Sequence, residues 1–573
     1  MAILFLTPDK QKLTLRCSYE ERNMAKKVGG QWNPSLKTWD FAIDLTLYDD
    51  ICTVFRNNLT VEKDAKEAIS NKKIEVDTIR KFKEEAIENK DINYSVLGLT
   101  MDGKNPLYTY QKHGVRCGSI AQGGFLIADE MGLGKTIQGI GIALNKKLFF
   151  GARSCLVICP AAVKYNWLNE ISKFTKEKAL VIDGKVEERY EKWFAPGYFF
   201  KITNYEILTR DLFYFEKKDK LGNITSKDTR IPNYDQLINN YFSVMLMDEA
   251  HYISSHSAQR TIACKGMKVK TKIALTGTPI DGKLEGFHSI MEFVKPGLFP
   301  TRSKFLDRYA IFDHWGGIQS YVRVDEFKDK ISPYYIRRLK KDVLKDLPPM
   351  VHQNVYVELS SKAMNEYKKI ARRQHQITEL EEMIVTIIRC RQFCDMPDIL
   401  GLKIESDKLK ALKEILEEVV KENGHKVIIF SQYREAIKRL EAALNKDYEL
   451  CLLKNFDNKF EASEYFNNTD SCKIILMTDE GNTGLNLPTA SYVIHYDQNY
   501  SPAIMMQRSA RAHRANTKHT VNIINLICKD TIEERVLEAI NQKHEFSCNV
   551  LDEDLNEMSL GSALNTRELF NLL

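Results

Sequence analysis

Short apolar runs recur along this chain in two blocks separated by helical sequence. The first block holds "GGFLIADE", "SCLVICP", "FFKITNY", "SVMLMDE" and "TKIALTGTP"; the second holds "KVIIFSQY", "KIILMTDE", "SYVIHYD" and "TVNIINLI". Continuous apolar runs without alternation belong to strands buried on both faces, which is the situation of a parallel sheet covered by helices. The expected fold class is therefore α/β, with two parallel-sheet lobes. The 573 residues are enough for about three to five domains at roughly 100–200 residues each. The predicted division is a small α+β module over 1–59, a charged helical linker over 60–95, a first lobe over 96–300, helical protrusions over 301–400, a second lobe over 401–545 and a tail over 546–573.

Between the first two segments of the first lobe's chemistry lies "IADEMGLGKTIQ". The order strand, glycine loop, helix is the context of a phosphate-binding loop, whose backbone N–H groups and helix N-terminus take up phosphate oxygens. Asp129, Glu130, Met131, Gly132, Leu133 and Gly134 form the loop, although Asp129 stands where the generic pattern has glycine. Lys135 is placed to reach the outer phosphates, and Thr136 to set its hydroxyl on Mg²⁺. Downstream, "VMLMDEAH" puts Asp248 and Glu249 at the C-terminal end of an apolar strand, the end at which parallel sheets bind ligands. Asp248 suits Mg²⁺, and Glu249 suits orienting and deprotonating a water. In "QRSARAHR", helical spacing sets Gln507, Arg511 and Arg514 on one face, as arginine fingers supplied by the second lobe. The amide of Gln111, in "LYTYQKHGV", can pair bidentately with adenine. ATP and Mg²⁺ are the expected cofactors.

The ordered set "YQKHGV", "DEMGLGKTIQ", "VICPAAVKYNWLNEISKF", "ITNYE", "MDEAH", "ALTGTPI", "RRLKKDVLKDLPP", "GLNLPTASYVIHYDQNYSP" and "QRSARAHR" strongly resembles the Swi/Snf-type ATPases of helicase superfamily two. The resemblance covers about 100–545 and accounts for Asp129, which that family's loop carries. It implies two RecA-like lobes with ATP in the cleft between them and ATP-driven translocation along double-stranded DNA; the leading expectation is a translocase that remodels branched DNA or displaces bound proteins. It further implies nucleic-acid contacts at Pro160, Lys164, Thr203, Asn204, Thr276, Thr278, Ser431, Gln432 and Thr478. Such hydroxyls, amides and lysines suit backbone phosphates, so little base specificity is expected. Two departures stand out: "TDEGNTGLNL" brings Asp479 and Glu480 near the expected DNA path, and "HRANTK" replaces the family's usual ending after Arg511, His513 and Arg514.

The N-terminal "AKKVGGQWNPSLKTWDFAI" resembles the HepA-related (HARP) module found beside some translocases of this family. Trp32 and Trp39, with Lys26, Lys27 and Lys37, could stack on or hold branched DNA, or the two rings could fill a small core; the readings are compatible. The net charge of +6 permits an anionic partner without requiring one. The 12 cysteines lack zinc spacing and read as reduced core thiols; "CLVIC" is expected to be a buried strand and "CRQFC" a helix. No secretory leader or membrane span is expected, which places the protein in the nucleoid-bearing cytoplasm or the nucleus. A monomer would suffice, and no protein partner is indicated. Competing functions are a strand-separating helicase on DNA or RNA, and an ATP-gated DNA clamp or scaffold.

Overall fold

The structure is a computed structural model. It describes all residues except 1, 9, 11, 89–91, 93–97, 101–105, 216–227, 281–282, 300, 315–316, 372–379, 457, 480–484, 516, 552–559 and 562–573. The first lobe is a seven-stranded parallel sheet in the order Tyr335–Ile336, Gly124–Ile127, Thr271–Leu275, Val244–Asp248, Cys155–Cys159, Phe200–Asn204, Ala179–Val181. Alternate residues of these strands feed two cores. Leu126, Leu156, Met245 and Met247 face one, while Phe125, Ile127, Val157, Leu246 and Ile273 face the other. Both faces are apolar because both are covered, which is why the strands read as unbroken apolar runs. The second lobe repeats the design with six parallel strands in the order Met350–Val357, Val521–Cys528, Tyr492–His495, Val427–Phe430, Ile474–Met477, Leu450–Leu452. Two RecA-like lobes are thus present, as expected.

The boundaries need correction. The expected protrusion segment 301–400 is shared out. Its strand Tyr335–Ile336 pairs with Gly124–Ile127 and completes the first sheet. Its strand Met350–Val357 runs parallel to Val521–Cys528 and forms an edge of the second. The helices Leu284–Val294, Arg302–Tyr309 and Val324–Ile331 pack around Phe287, Phe299, Phe305 and Phe327, and this cluster is continuous with the first lobe's core. On the other lobe, Cys390 and Phe393 of the helix Leu380–Asp395 pack with Val536 and Ala539 of the helix Ile532–Leu551. A buried Lys408 ties Asp395 (3.0 Å) to Glu533. The long C-terminal helix also reaches the first lobe, where Phe546 lies 5.3 Å from the Tyr321 ring centroid.

The N-terminal module is a five-stranded sheet in the order Gln31–Asn33, Thr38–Ala42, Lys12–Arg16, Ala2–Leu6, Leu59–Val61, with only the last pair parallel. Leu4, Leu13, Leu15, Phe41, Ile51 and Phe55 make its core. The reading of both tryptophans as core fillers is corrected here: Trp32 is 53% exposed on the edge strand and meets the partly buried Trp39 edge-on at 5.4 Å. The charged stretch after the module is a single helix, Lys63–Ile87, but it is not a solvated linker. Ile79 and Ala86 are buried in the first lobe's core. Glu85 pairs with Arg116 at 2.7 Å, and Glu75 accepts the Gln122 N–H at 2.7 Å. The helix therefore clamps the module to the first lobe. Among the described residues no helix is long and apolar enough to cross a membrane.

Candidate nucleotide site

The phosphate loop hangs between two supports. One is the strand Gly124–Ile127, wholly buried. The other is the segment after Tyr335–Ile336, which follows the loop: Ala128 N–H donates to Ile336 O (2.7 Å) and Glu130 N–H to Arg338 O (2.9 Å). Gly132 and Gly134 have φ of 89° and 72°, the left-handed region that side chains avoid. At Gly134 a Cβ would also lie 2.4 Å from Gln111 Nε2. The helix Lys135–Phe150 starts there, and the unsatisfied N–H groups of its first turn face the loop, which makes it a ready anion site. Lys135 Nζ donates to Asp129 O at 2.9 Å. Burial lowers its pKa, and the charges of Glu249, Asp129 and Asp248 oppose this in that order.

Asp129 enters the loop through its backbone. Its carboxylate points into the interior, where it accepts from Arg338 Nε (2.9 Å) and Gln138 Nε2 (2.9 Å). Arg338 also donates to Gln138 Oε1 at 2.8 Å and to Tyr110 O. This network is fully buried and locks the loop to the chain that leaves for the second lobe. Breaking a buried ion pair by removing one partner costs about 3–5 kcal/mol. Arg338→Met is therefore expected to lower the denaturation midpoint of the first lobe and to weaken nucleotide binding, read by chemical unfolding and by titration with a fluorescent ATP analogue. An unchanged midpoint would remove Arg338 from this role.

Gln111 is buried, and both ends of its amide are engaged. Oε1 accepts from Tyr108 N–H (3.0 Å) and Nε2 donates to Leu133 O (3.1 Å). It caps a helix and props the phosphate loop, so pairing with adenine would have to replace these bonds.

Across the sheet, Asp248 ends the strand Val244–Asp248 and Glu249 follows in a left-handed conformation at φ 51°, which is uncommon for a non-glycine residue. Glu249 N–H donates to Asp248 Oδ1 (3.0 Å), Trp167 Nε1 donates to Asp248 Oδ2 (2.8 Å), and Tyr205 Oη donates to Asp248 O (2.6 Å). These bonds hold the turn that aims both carboxylates at the loop. Burial raises the Asp248 carboxyl above its ordinary range, and neighbouring Glu249 adds to this. Burial also pushes Glu249 upward, but His251 (Nδ1 at 3.3 Å), Lys135 and Arg511 outweigh it, and its carboxyl lies below the ordinary range. Glu249 is thus ionised at neutral pH. Trp167 was not singled out from sequence; its signal was an aromatic residue in the helix that follows the "VICP" strand.

The second lobe brings its arginines to this loop, but not as a helical face. The helix Pro502–Ser509 stops before them, with Ala510 as its cap, and Arg511 and Arg514 lie in the turns beyond. Both converge on one carbonyl, Leu485 O, at 3.2 and 3.0 Å. Burial, with Arg514 beside it, presses Arg511 down to about 9, and Glu249 opposes this. Burial also lowers Arg514, opposed by Glu170. Gln507 is buried on the preceding helix. Between the arginines, His513 touches the first lobe: His513 O accepts from Lys340 Nζ at 2.9 Å, and Nε2 lies 2.8 Å from Pro348 O. Lys340 N–H donates to Glu130 Oε2 at 2.7 Å. A Cβ on Gly132 would lie 3.2 Å from Lys340 Cε and 3.5 Å from His513 O. The segment Arg338–Lys340 therefore links phosphate loop to arginine turn. It was visible in sequence only as part of "RRLKKDVLKDLPP", with no role attached.

Comparison with known proteins decides the family. The SNF2-related domain matches residues 52–399, and the helicase conserved C-terminal domain matches 407–516. The chain belongs to the SNF2-related family. Among curated relatives, this SNF2-related protein is 30% identical over 519 residues to an "Uncharacterized ATP-dependent helicase" of Mycoplasma pneumoniae, covering 87% of this chain and 46% of that protein. It is 28% identical over 462 residues to the ISWI chromatin-remodeling complex ATPase ISW1 of Saccharomyces cerevisiae, covering 73% and 38%. Among solved structures, a Sulfolobus solfataricus SWI2/SNF2 ATPase core in complex with dsDNA matches with 27% identity and a TM-score of 0.38, covering 81% of this chain and 95% of that one. The chain spans about half the length of the curated relatives it matches.

The nine lobe residues expected to contact nucleic acid in this SNF2-related protein are buried or half-buried. Thr203, Thr276 and Ser431 have no exposed surface. Ser431 donates to Asp497, and Thr276 Oγ1 accepts from Thr278 N–H at 3.2 Å, so these two hydroxyls brace strand ends. Asn204 caps the helix Tyr205–Leu212. Pro160 and Thr278 are buried, and Lys164 Nζ lies 3.8 Å from Asp183. Gln432, whose N–H donates to Asp497 at 3.0 Å, and Thr478 are half-buried. The acidic departure in the second lobe is also resolved: Asp479 is taken up by Arg508 (2.6 and 2.8 Å) and Asn499 (3.0 Å), while Glu480 lies outside the described residues. Arg508 is fully buried, and its role was not read from sequence.

Proposed function

We propose that this SNF2-related protein is an ATP-driven translocase on double-stranded DNA that remodels branched DNA or displaces bound proteins. The observation that carries the reading is the convergence of four charged groups from two lobes: Lys135 of the loop, ionised Glu249, and the buried Arg511–Arg514 pair beside them. Two desolvated guanidiniums on a single carbonyl fit an anion such as a terminal phosphate. A carboxyl raised by burial at Asp248, beside the buried carboxylate of Glu249, fits a divalent cation. Thr136 and Asp248 would hold Mg²⁺, which when bound neutralises phosphate charge.

In this reading the loop amides and Lys135 bind the phosphates, and Glu249 takes the proton of the attacking water. Arg511 and Arg514 stabilise the charge that spreads over the phosphoryl oxygens. Because these groups come from separate lobes, hydrolysis requires closure, and product release lets the lobes part; that cycle converts chemistry into motion. DNA as the track is supported by the motif set and by chromatin-remodelling relatives such as ISW1. The test is ATP hydrolysis with linear duplex, single-stranded DNA, a model fork and RNA, beside Lys135→Ala. Strong stimulation by duplex, highest with the fork and absent in Lys135→Ala, is expected. Stimulation only by single strands or RNA would replace this reading with a strand-separating helicase.

A further inference from the structure

A cleft of about 2880 Å³ opens between the N-terminal module, the helix Lys63–Ile87 and the first lobe. It lies at the N-terminal ends of the first lobe's strands: Gln122 and Gly123, which lead into Gly124–Ile127, and Lys270, which leads into Thr271–Leu275, are on its wall. The phosphate loop leaves the opposite ends of those strands. A strand of four or five residues separates them, roughly 15 Å at about 3.3 Å per residue. The cleft is thus distinct from the nucleotide site.

Its walls carry fourteen lysines and arginines against ten aspartates and glutamates. Three of the acids are paired with a base, and others accept hydrogen bonds. Glu75 pairs with Lys72 (2.8 Å), Glu292 with Lys265 (2.6 Å) and Glu326 with Arg308 (2.7 Å). Asp44 accepts from Tyr334 Oη (2.9 Å), and Asp40 from Thr14 (2.9 Å) and Asn33 (2.8 Å). Among the described residues, Lys27, Lys268 and Lys270 are exposed on the rim without an ion pair. Deeper in, Lys272 and Lys295 make no ion pair either, and burial lowers both to about 8. Near Lys295 the charges are mixed, with Lys72 disfavouring its ammonium and Glu75 and Asp44 favouring it. Desolvated ammonium groups without an ion pair are costly, and an anion entering the cleft would offset that cost.

We propose that this cleft binds the sugar–phosphate backbone of a second nucleic-acid strand, so that one arm of a branched substrate lies behind the first lobe while the motor engages another. The inference rests on the DNA-translocase reading for the identity of its ligand. Its charge pattern specifies a polyanion contacted through phosphates, which positions without reading sequence. Each phosphate contact adds about 0.9 to the slope of log affinity against log salt on duplex DNA.

The test uses the full chain and the double variant Lys268→Ala/Lys270→Ala, whose side chains are exposed. Binding to a synthetic three-way fork and to a linear duplex is followed by fluorescence anisotropy across a salt series without nucleotide. The fork's salt slope is expected to become shallower by about 2, with the linear duplex's slope and its stimulation of ATP hydrolysis unchanged. Equal fork slopes for variant and wild type overturn the proposal. So does a variant that loses only poly-glutamate binding, since the cleft would then hold an acidic protein segment. If linear duplex fails to stimulate wild-type hydrolysis but the fork slope still falls in the variant, the motor reading fails and the cleft stands.

Discussion

Arg511→Ala is expected to cut DNA-stimulated ATP hydrolysis by roughly 10³–10⁵, the range an arginine finger supplies in phosphoryl transfer. The size of the effect follows from where the guanidinium sits. Arg511 donates to Leu485 O, with Arg514 on the same carbonyl, and its charge is disfavoured by burial. Such a group interacts most strongly when negative charge spreads toward it, as in the transition state, so kcat should fall while ATP affinity changes little. Arg511→Lys should recover only part of the rate, because an ammonium keeps the charge but loses the planar fork. Steady-state kinetics with saturating duplex DNA would decide it, and unchanged stimulated rates in Arg511→Ala would refute the finger. The same experiment separates a motor from a slow clamp, since a clamp needs ATP binding but little turnover.

Glu249→Gln is expected to bind ATP with near wild-type affinity yet lose roughly 10²–10⁴ in turnover, the usual contribution of a positioned general base. Glutamine preserves shape and removes the proton acceptor. Glu249 is ionised because His251, Lys135 and Arg511 outweigh its burial, so at neutral pH the base is ready without a preceding deprotonation. Its left-handed backbone is kept by local bonds, including Tyr252 N–H to Glu249 O at 2.9 Å, and such a costly conformation persists only where surroundings enforce it. Single-turnover hydrolysis beside equilibrium nucleotide binding would check this. Normal turnover in Glu249→Gln would move the base to another residue.

The strands that frame the site were legible because burial on both faces forces an unbroken apolar run, as in "VMLM" and "VIIF". The phosphate loop and the Asp248–Glu249 pair were legible for a related reason: close backbone approach demands glycine, and the sheet's C-terminal edge fixes where carboxylates can act. The short strands Tyr335–Ile336, Ala179–Val181 and Leu450–Leu452 were not, since two or three residues carry no periodicity.

What the amino-acid order determined by itself is local: which segments become buried strands, where the loop must bend, and which charges lie at strand ends. The tertiary structure alone decided how those charges are spent. "QRSARAHR" has no helix breaker, and its helix ends at Ser509 where the residues beyond meet other partners: Leu485 O takes the arginines, and Lys340 and Pro348 take His513. Asp479 resembled a charge facing DNA until Arg508 closed on it, and Lys63–Ile87 resembled a solvated helix until Ile79 and Ala86 entered the first lobe. Charge pairing and helix docking depend on groups far apart in sequence, and only the folded chain brings them within the few ångströms over which those forces act.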